Sequence, residues 1–256
     1  MRIYTKESLI EELRAIRDRG WIANARHGNV GGVGNTLEDL LGIEENNLPI
    51  PNASEWELKC QRLGTTSLTT LFHMEPSPRA MRFVPGILLP LYGWPHQSLP
   101  NEMSFRQTIT GRSRTDRGFG ITVDRNGRKV MVSFDSQAVN PHHAEWLQSV
   151  RARVGLGELN PQPYWGFEDL EHKAGTKLLN CFYIRAHVKR ENGREFFHYC
   201  EISILERFDF EHFLASIEDG AVLVDFDART GHNHGTKFRL RQDCLDRLYS
   251  KVTRVE

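Results

Sequence analysis

The chain contains no long hydrophobic run. A membrane-spanning helix needs about 20 apolar residues, and the longest candidate, 83–92, is interrupted by Pro85, Gly86 and Pro90. No membrane partner is therefore expected. The first residues, MRIYTKESLIEELR, read as an amphipathic helix and lack the apolar core of a signal peptide. Cysteine is sparse: Cys60, Cys181, Cys200 and Cys244 are scattered, with no CxxC pair. That argues against a structural zinc site or a disulfide framework and suits a reducing cytoplasm. The glycine-rich stretch 27–34 is followed by no GK[ST] and has no GxGxxG spacing, so a nucleotide-phosphate loop is a poor reading. Internal repeats and low-complexity tracts are also missing.

Net charge is missing too. Thirty-three basic residues balance thirty-three acidic ones. A nucleic-acid binder is often basic overall, so this counts mildly against one, although local distribution matters more than the total. Two arginine-rich stretches stand out: Arg106, Arg112, Arg114 and Arg117, then Lys237, Arg239 and Arg241.

At 256 residues with 39% hydrophobic content, the chain is long enough for a substantial core. The pattern predicts a mixed α/β fold. A helix over 5–19 has Thr5 as N-cap and Gly20 as its end. A short helix at 37–41, capped by Asn35 or Thr36, carries Glu38. Strands are expected at 56–60 and 64–72, and an extended, interrupted segment at 83–92. Asn126-Gly127 and Asn192-Gly193 signal hairpins. Helices follow at 141–153 and from 167, and Asp209 caps another that ends at Gly220. A strand at 221–226 leads to a polar loop, 229–236, and a short strand, 237–241. A final helix is expected over 243–252, and the polar loop around 155–163 suggests a junction between two lobes of one domain.

The most informative stretch is 28–62. In EWELKCQ side chains should alternate faces. Trp56, Leu58 and Cys60 then form a core face, and Glu57 and Lys59 share the other. A carboxylate that holds Mg²⁺ beside a lysine that polarises water or phosphate suits phosphodiester hydrolysis. Alone, an E-x-K triplet is common and usually marks a solvated strand face. Here it lies on an otherwise apolar strand, with Asn52 in the preceding proline turn and Glu38 on the helix upstream.

The segment His232-Asn233-His234-Gly-Thr-Lys237-Phe-Arg239-Leu-Arg241 collects side chains suited to base edges and phosphates. Lys237, Arg239 and Arg241 should share one face, with Phe238 and Leu240 behind. Two histidines two apart could bind a metal, but no third ligand is obvious.

The stretch GGVGNTLEDLLGI, then ENN, a proline turn, WELK and Gln61-Arg62, resembles the MvaI/BcnI family of type II restriction endonucleases. That family is related to the mismatch-repair nickase MutH and carries a PD-(D/E)xK nuclease site. At the other end FDARTGHNHGTKFRLR is similar to the family's DNA-reading segment, about 229–241. The resemblance implies a MutH-like core with a DNA-recognition lobe in a single domain, 1–256, and a catalytic motif within 28–62. It implies a catalytic set of Glu38, residue 52, Glu57 and Lys59, with Mg²⁺ held by residue 52, Glu57 and Glu38; Mn²⁺ or Ca²⁺ would substitute for binding. DNA contacts are expected from His73, Arg112, Arg114, His232, Asn233, His234, Lys237, Arg239 and Arg241. The implied substrate is double-stranded DNA carrying a short C/G-rich site of the CC-N-GG type. The implied protein is a bacterial or archaeal, cytoplasmic monomer with a DNA methyltransferase in the same system. One position departs from the pattern: Asn52 stands where the family has aspartate. An amide lacks the charge that holds Mg²⁺ tightly, so cleavage should be impaired while DNA binding survives. Both an introduced substitution and a natural variant fit. A MutH-like repair nickase and a non-catalytic DNA-binding protein are the alternatives.

Overall fold

The computed structural model describes residues 4–26, 32–43 and 56–256. The first helix, α1 (Lys6–Asp18), starts where the sequence expects. The Thr5 hydroxyl accepts the Ser8 N–H and the Ser8 hydroxyl accepts the Thr5 N–H, a reciprocal cap. Leu9, Leu13 and Ile16 form its buried stripe. After a two-residue strand, β1 (Ile22–Ala23), comes α2 (Gly32–Leu41). It is longer than expected, because Gly32 and Gly34 form its first turns rather than a loop. Gly32 fits there by closeness: an added β-carbon would stand 2.7 Å from the Asn24 amide nitrogen.

The remaining elements, in order, are β2 (Glu57–Arg62), β3 (Thr69–His73), α3 (Leu89–Tyr92), β4 (Trp94–Pro95), β5 (Met103–Ile109), β6 (Arg117–Asp124) and β7 (Lys129–Val139). They continue with α4 (Ala144–Val154), β8 (Tyr164–Gly166), α5 (Phe167–Leu178), β9 (Asn180–Glu191), β10 (Arg194–Phe208), α6 (Phe210–Glu218), β11 (Val222–Arg229), β12 (His232–Leu240) and β13 (Tyr249–Val255). The chain divides into two compact units. One holds Met1–Thr69, Lys173–Phe210 and Gln242–Glu256; the other holds Thr70–His172 and Glu211–Arg241.

In the first unit the sheet runs β1-β10-β9-β2, with β13 also on β10. β2 lies parallel to β9, Glu57 opposite Cys181 and Lys59 opposite Tyr183, and the other pairs are antiparallel. Asn192 and Gly193 both take positive φ, 51° and 73°, which makes the β9–β10 connection the two-residue turn that Asn-Gly favours. One sheet face is apolar. Trp56 just before β2, Leu58 on it, Phe182, Ile184 and Ala186 of β9, and Tyr199, Ile202 and Ile204 of β10 pack with α1 and α2 through Leu9, Leu13, Ile16, Val33, Leu37 and Leu41.

The second unit has two sheets, β3-β12-β11-β5-β4 and β6-β7-β8. Its core is aromatic: Phe72, Phe213, Phe238 and Trp165 form one cluster, and Phe105, Phe119, Phe134 and Tyr92 another.

Several expectations are corrected. The 83–92 segment is helical, a π-helical turn at Val84–Leu88 running into α3. Buried Phe83, Val84, Leu88 and Leu89 need a helical spacing there, and both prolines stand early enough in their turns to be tolerated. The 64–72 strand shortens to β3, after the positive-φ turn at Gly64. The final helix is absent; a short 3₁₀ turn, Leu245–Leu248, leads into β13, which hydrogen-bonds along β10. The 229–236 loop is a tight hairpin, so His232, Asn233 and His234 sit on β12. The 155–163 loop lies inside the second unit, and the chain passes between units at 69–70, 172–173, 210–211 and 241–242.

Candidate nuclease site and DNA-reading hairpin

The two faces of β2 differ in chemistry. Trp56, Leu58 and Cys60 face α1 and α2 as the alternation requires. Burial pushes the Cys60 thiol well above its usual pKa, and the charge of Glu38 adds to this. Glu38 itself is half-buried on α2. The opposite face carries Glu57, Lys59 and Gln61. Glu57 is only 2% exposed. Its Oε1 accepts from Lys59 Nζ at 2.7 Å, and its Oε2 lies 3.2 Å from Lys177 Nζ on α5. Both ammonium groups are mostly buried. Behind them the Tyr183 hydroxyl donates to Gln61 Oε1, and Gln61 donates to Thr69 at 2.9 Å. Burial, together with the charges of Cys181 and Glu57, pushes the Tyr249 phenol well above its usual range.

A buried carboxylate between two ammonium groups is a costly arrangement to build for stability alone. It places one acceptor and two cationic donors together on the polar face of β2. Oε2 of Glu57 is buried and makes no aligned hydrogen bond despite the nearby Lys177, and a hard divalent ion would need further oxygen ligands beside it. Asn52 lies outside the described residues. Among the described residues no group of three or more His, Cys, Asp or Glu side chains could hold a metal. The structure therefore brings Glu57 and Lys59 together, and it adds Lys177, which sequence reasoning missed. Nothing in its local pattern distinguishes Lys177 from any other lysine near a helix end; only the fold brings it to Glu57.

The DNA-reading expectations fall on the second unit. β11 and β12 pair with a bulge: Phe226 faces Thr236 and Ala228 faces Asn233, leaving His234 and Gly235 opposite Asp227. Gly235 takes φ +80°, and Asn233 Oδ1 accepts its N–H at 3.0 Å. The exposed rings of His232 and His234 stack with centroids 5.1 Å apart. Glu75, also missed, clamps the bulge. Its Oε1 accepts from the Thr236 N–H and its Oε2 from the Thr236 hydroxyl, both at 3.0 Å. An added β-carbon on Gly235 would lie 3.5 Å from both Glu75 Oε1 and His73 Cδ2, so the hairpin bulge and the end of β3 are one patch.

Down the same hairpin the cations are paired. Lys237 lies 3.7 Å from Asp227, which holds Arg106 at 2.7 Å; Arg239 reaches Asp225 at 3.2 Å. Arg241 donates to the Gly220 carbonyl at 2.8 Å. Arg112 and Arg114 are both exposed, and Arg114 also donates to the Gly118 carbonyl and the Ser133 hydroxyl and helps hold that loop.

Two solved structures share this fold. One, described as "Restriction endonuclease MvaI-cognate DNA substrate complex", has a TM-score of 0.78 and 24% identity over 98% of this chain and 99% of that one. The other, "Restriction endonuclease MvaI in the absence of DNA", has a TM-score of 0.55 and 25% identity over the full length of both chains. The family model of the MvaI/BcnI restriction endonucleases matches residues 10–249, and the chain belongs to that family. No curated protein matches it. Among the described residues no helix is long and apolar enough to cross a membrane.

Proposed function

We propose that this restriction endonuclease acts on double-stranded DNA at a short C/G-rich site of the CC-N-GG type, by divalent-metal-dependent phosphodiester hydrolysis, as a monomer that cuts one strand at a time. The observation that carries this reading is the buried Glu57 carboxylate held at 2.7 Å from Lys59 on the polar face of β2, in a chain of this family. Glu57 and residue 52 would hold Mg²⁺, with Glu38 supporting them. Bound there, the ion would supply Lewis acidity and a more acidic water. Lys59 orients the attacking water and offsets charge that develops on the phosphate. The hairpin carrying His232, Asn233 and His234, with His73 beside it, reads base edges; Arg239, Arg241 and Lys237 supply further donors, and exposed Arg112 a phosphate contact. The Gly118 and Ser133 bonds of Arg114 favour a supporting role for it.

Asn52 favours a second reading for the chain as it stands, that of a specific DNA binder impaired in cleavage. A gel-shift titration with a CC-N-GG duplex tests the binding half. Tight binding that survives in EDTA and exceeds binding to a scrambled duplex about a thousandfold or more is expected. Equal affinity for both duplexes would remove the site-specific reading.

A further inference from the structure

We infer that Arg82 binds a phosphate of the DNA backbone beside the β11–β12 hairpin. The inference rests on the proposed contact between that hairpin and DNA. Three observations carry it. A recess of about 440 Å³ in the second unit is lined by Arg82 together with the hairpin tip, Thr230, Gly231, His232 and Asn233. Arg82 is exposed, and among the described residues its guanidinium has no ion pair or hydrogen bond. Its backbone, by contrast, is held on both sides: its N–H donates to the Arg79 carbonyl at 3.0 Å, and its carbonyl accepts the Gly86 N–H at 2.8 Å.

Other cations of the hairpin already have carboxylate partners. Arg229 meets Glu102 at 2.6 Å, Lys237 lies 3.7 Å from Asp227, and Arg239 reaches Asp225 at 3.2 Å. A cation matched by a carboxylate adds less to the positive potential that draws a polyanion. Arg82 has no such partner among the described residues, so it is the cation at this recess best able to take a phosphate.

The backbone supports the same role. Arg82 closes the short 3₁₀ turn Arg79–Met81 in the left-handed region, at φ 47° and ψ 55°. Glycine or asparagine would adopt that conformation more cheaply than arginine. The turn is also tight, since a β-carbon added to Gly86 would stand 2.7 Å from the Met81 carbonyl oxygen. A long cationic side chain on a pinned backbone leaves the turn in a fixed direction and has less freedom to lose on binding. The planar guanidinium fork matches two phosphate oxygens. A phosphate held there would fix the register of the duplex against His232 and Asn233, which share the recess.

The test is the salt dependence of DNA binding by the full chain, measured by fluorescence anisotropy in EDTA with a CC-N-GG duplex and a scrambled one. Arg82→Gln, Arg82→Asn and Arg82→Lys are compared with the parent, with thermal melting as a folding check. Asparagine tolerates the left-handed backbone, so Arg82→Asn removes the charge while keeping the turn. Arg151→Gln, an exposed arginine of α4 that does not line the recess, controls for the loss of any surface charge. In Arg82→Gln and Arg82→Asn the slope of log affinity against log salt should fall by about one. Affinity at low salt should fall by about tenfold on both duplexes alike. Arg82→Lys should keep the parental slope, and so should Arg151→Gln. An unchanged slope in folded Arg82→Gln and Arg82→Asn overturns the phosphate contact. A loss confined to the CC-N-GG duplex with the slope unchanged overturns it in favour of a base contact, and an equal fall in Arg151→Gln overturns it in favour of general surface charge. Failure of the parent to bind either duplex contradicts the hairpin–DNA reading itself, which is a separate result.

Discussion

Lys59 Nζ meets Glu57 Oε1 at 2.7 Å across one strand face, two residues apart, with the carboxylate 2% exposed. The pair is intelligible from the β2 alternation: the same strand sends Trp56 and Leu58 into the core, so its other face must carry whatever the site needs.

If Lys59 works on the reacting phosphate, its loss should affect chemistry more than binding. In an Asn52→Asp background, Lys59→Ala should lower the single-turnover cleavage rate by roughly 10²–10⁴. The duplex dissociation constant should change by less than about tenfold. A variant that loses binding and cleavage equally would reassign Lys59 to simple phosphate docking.

Glu75 should matter for selectivity without touching a base. Its two bonds to buried Thr236 fix the bulge that presents His234 and the neighbouring Asn233. Glu75→Ala should destabilise the protein by about 1–3 kcal/mol. It should also lower the ratio of affinities between the cognate duplex and single-base variants, while the salt dependence of binding stays the same. An unchanged ratio would mean that the bulge holds its shape without the clamp.

Glu206 makes a local pH dependence. The Lys251 ammonium, paired with Oε2 at 2.6 Å, and a hydrogen bond from Lys6 to Oε1 hold its carboxyl below the usual range. A depressed folded pKa contributes stability above the unfolded value of 4.5, and that stability is lost as pH falls through the lower folded value. Glu206→Gln should therefore be less stable than the parent at pH 6, and the two should converge on acidification below pH 4.5. Urea unfolding at the two pH values measures this; a constant difference would show that the ion pairs are not what Glu206 contributes.

The Glu57–Lys59 pairing is more legible in the sequence than the fold around it. Period-two alternation with a run of aromatic and aliphatic residues was enough to place Glu57 and Lys59 together, and Asn192-Gly193 fixed a hairpin because its turn chemistry is local. The segments misread were those in which distant packing decides. The 83–92 stretch contains two prolines and looks extended, yet its buried face requires helical spacing. The 243–252 stretch has helical periodicity, but β10 offers it a ladder of hydrogen bonds that the sequence could not display. Lys177 and Glu75 escaped notice for the same reason. Lys177 is more than a hundred residues from Glu57, and Glu75 more than a hundred from Thr236, and only tertiary structure brings each pair within bonding distance.

The central claim is that residue 52, Glu57 and Lys59 form a hydrolytic centre silenced at its first position. Cleavage of a random duplex library by the Asn52→Asp form with Mg²⁺, with the ends of every product sequenced, tests it most directly. The account predicts cutting at one short C/G-rich site, 5′-phosphate ends, a nicked intermediate, and little or no product from the Asn52 chain. No cutting by the aspartate form on any duplex, with Glu57 and Lys59 intact and the protein folded, would contradict it.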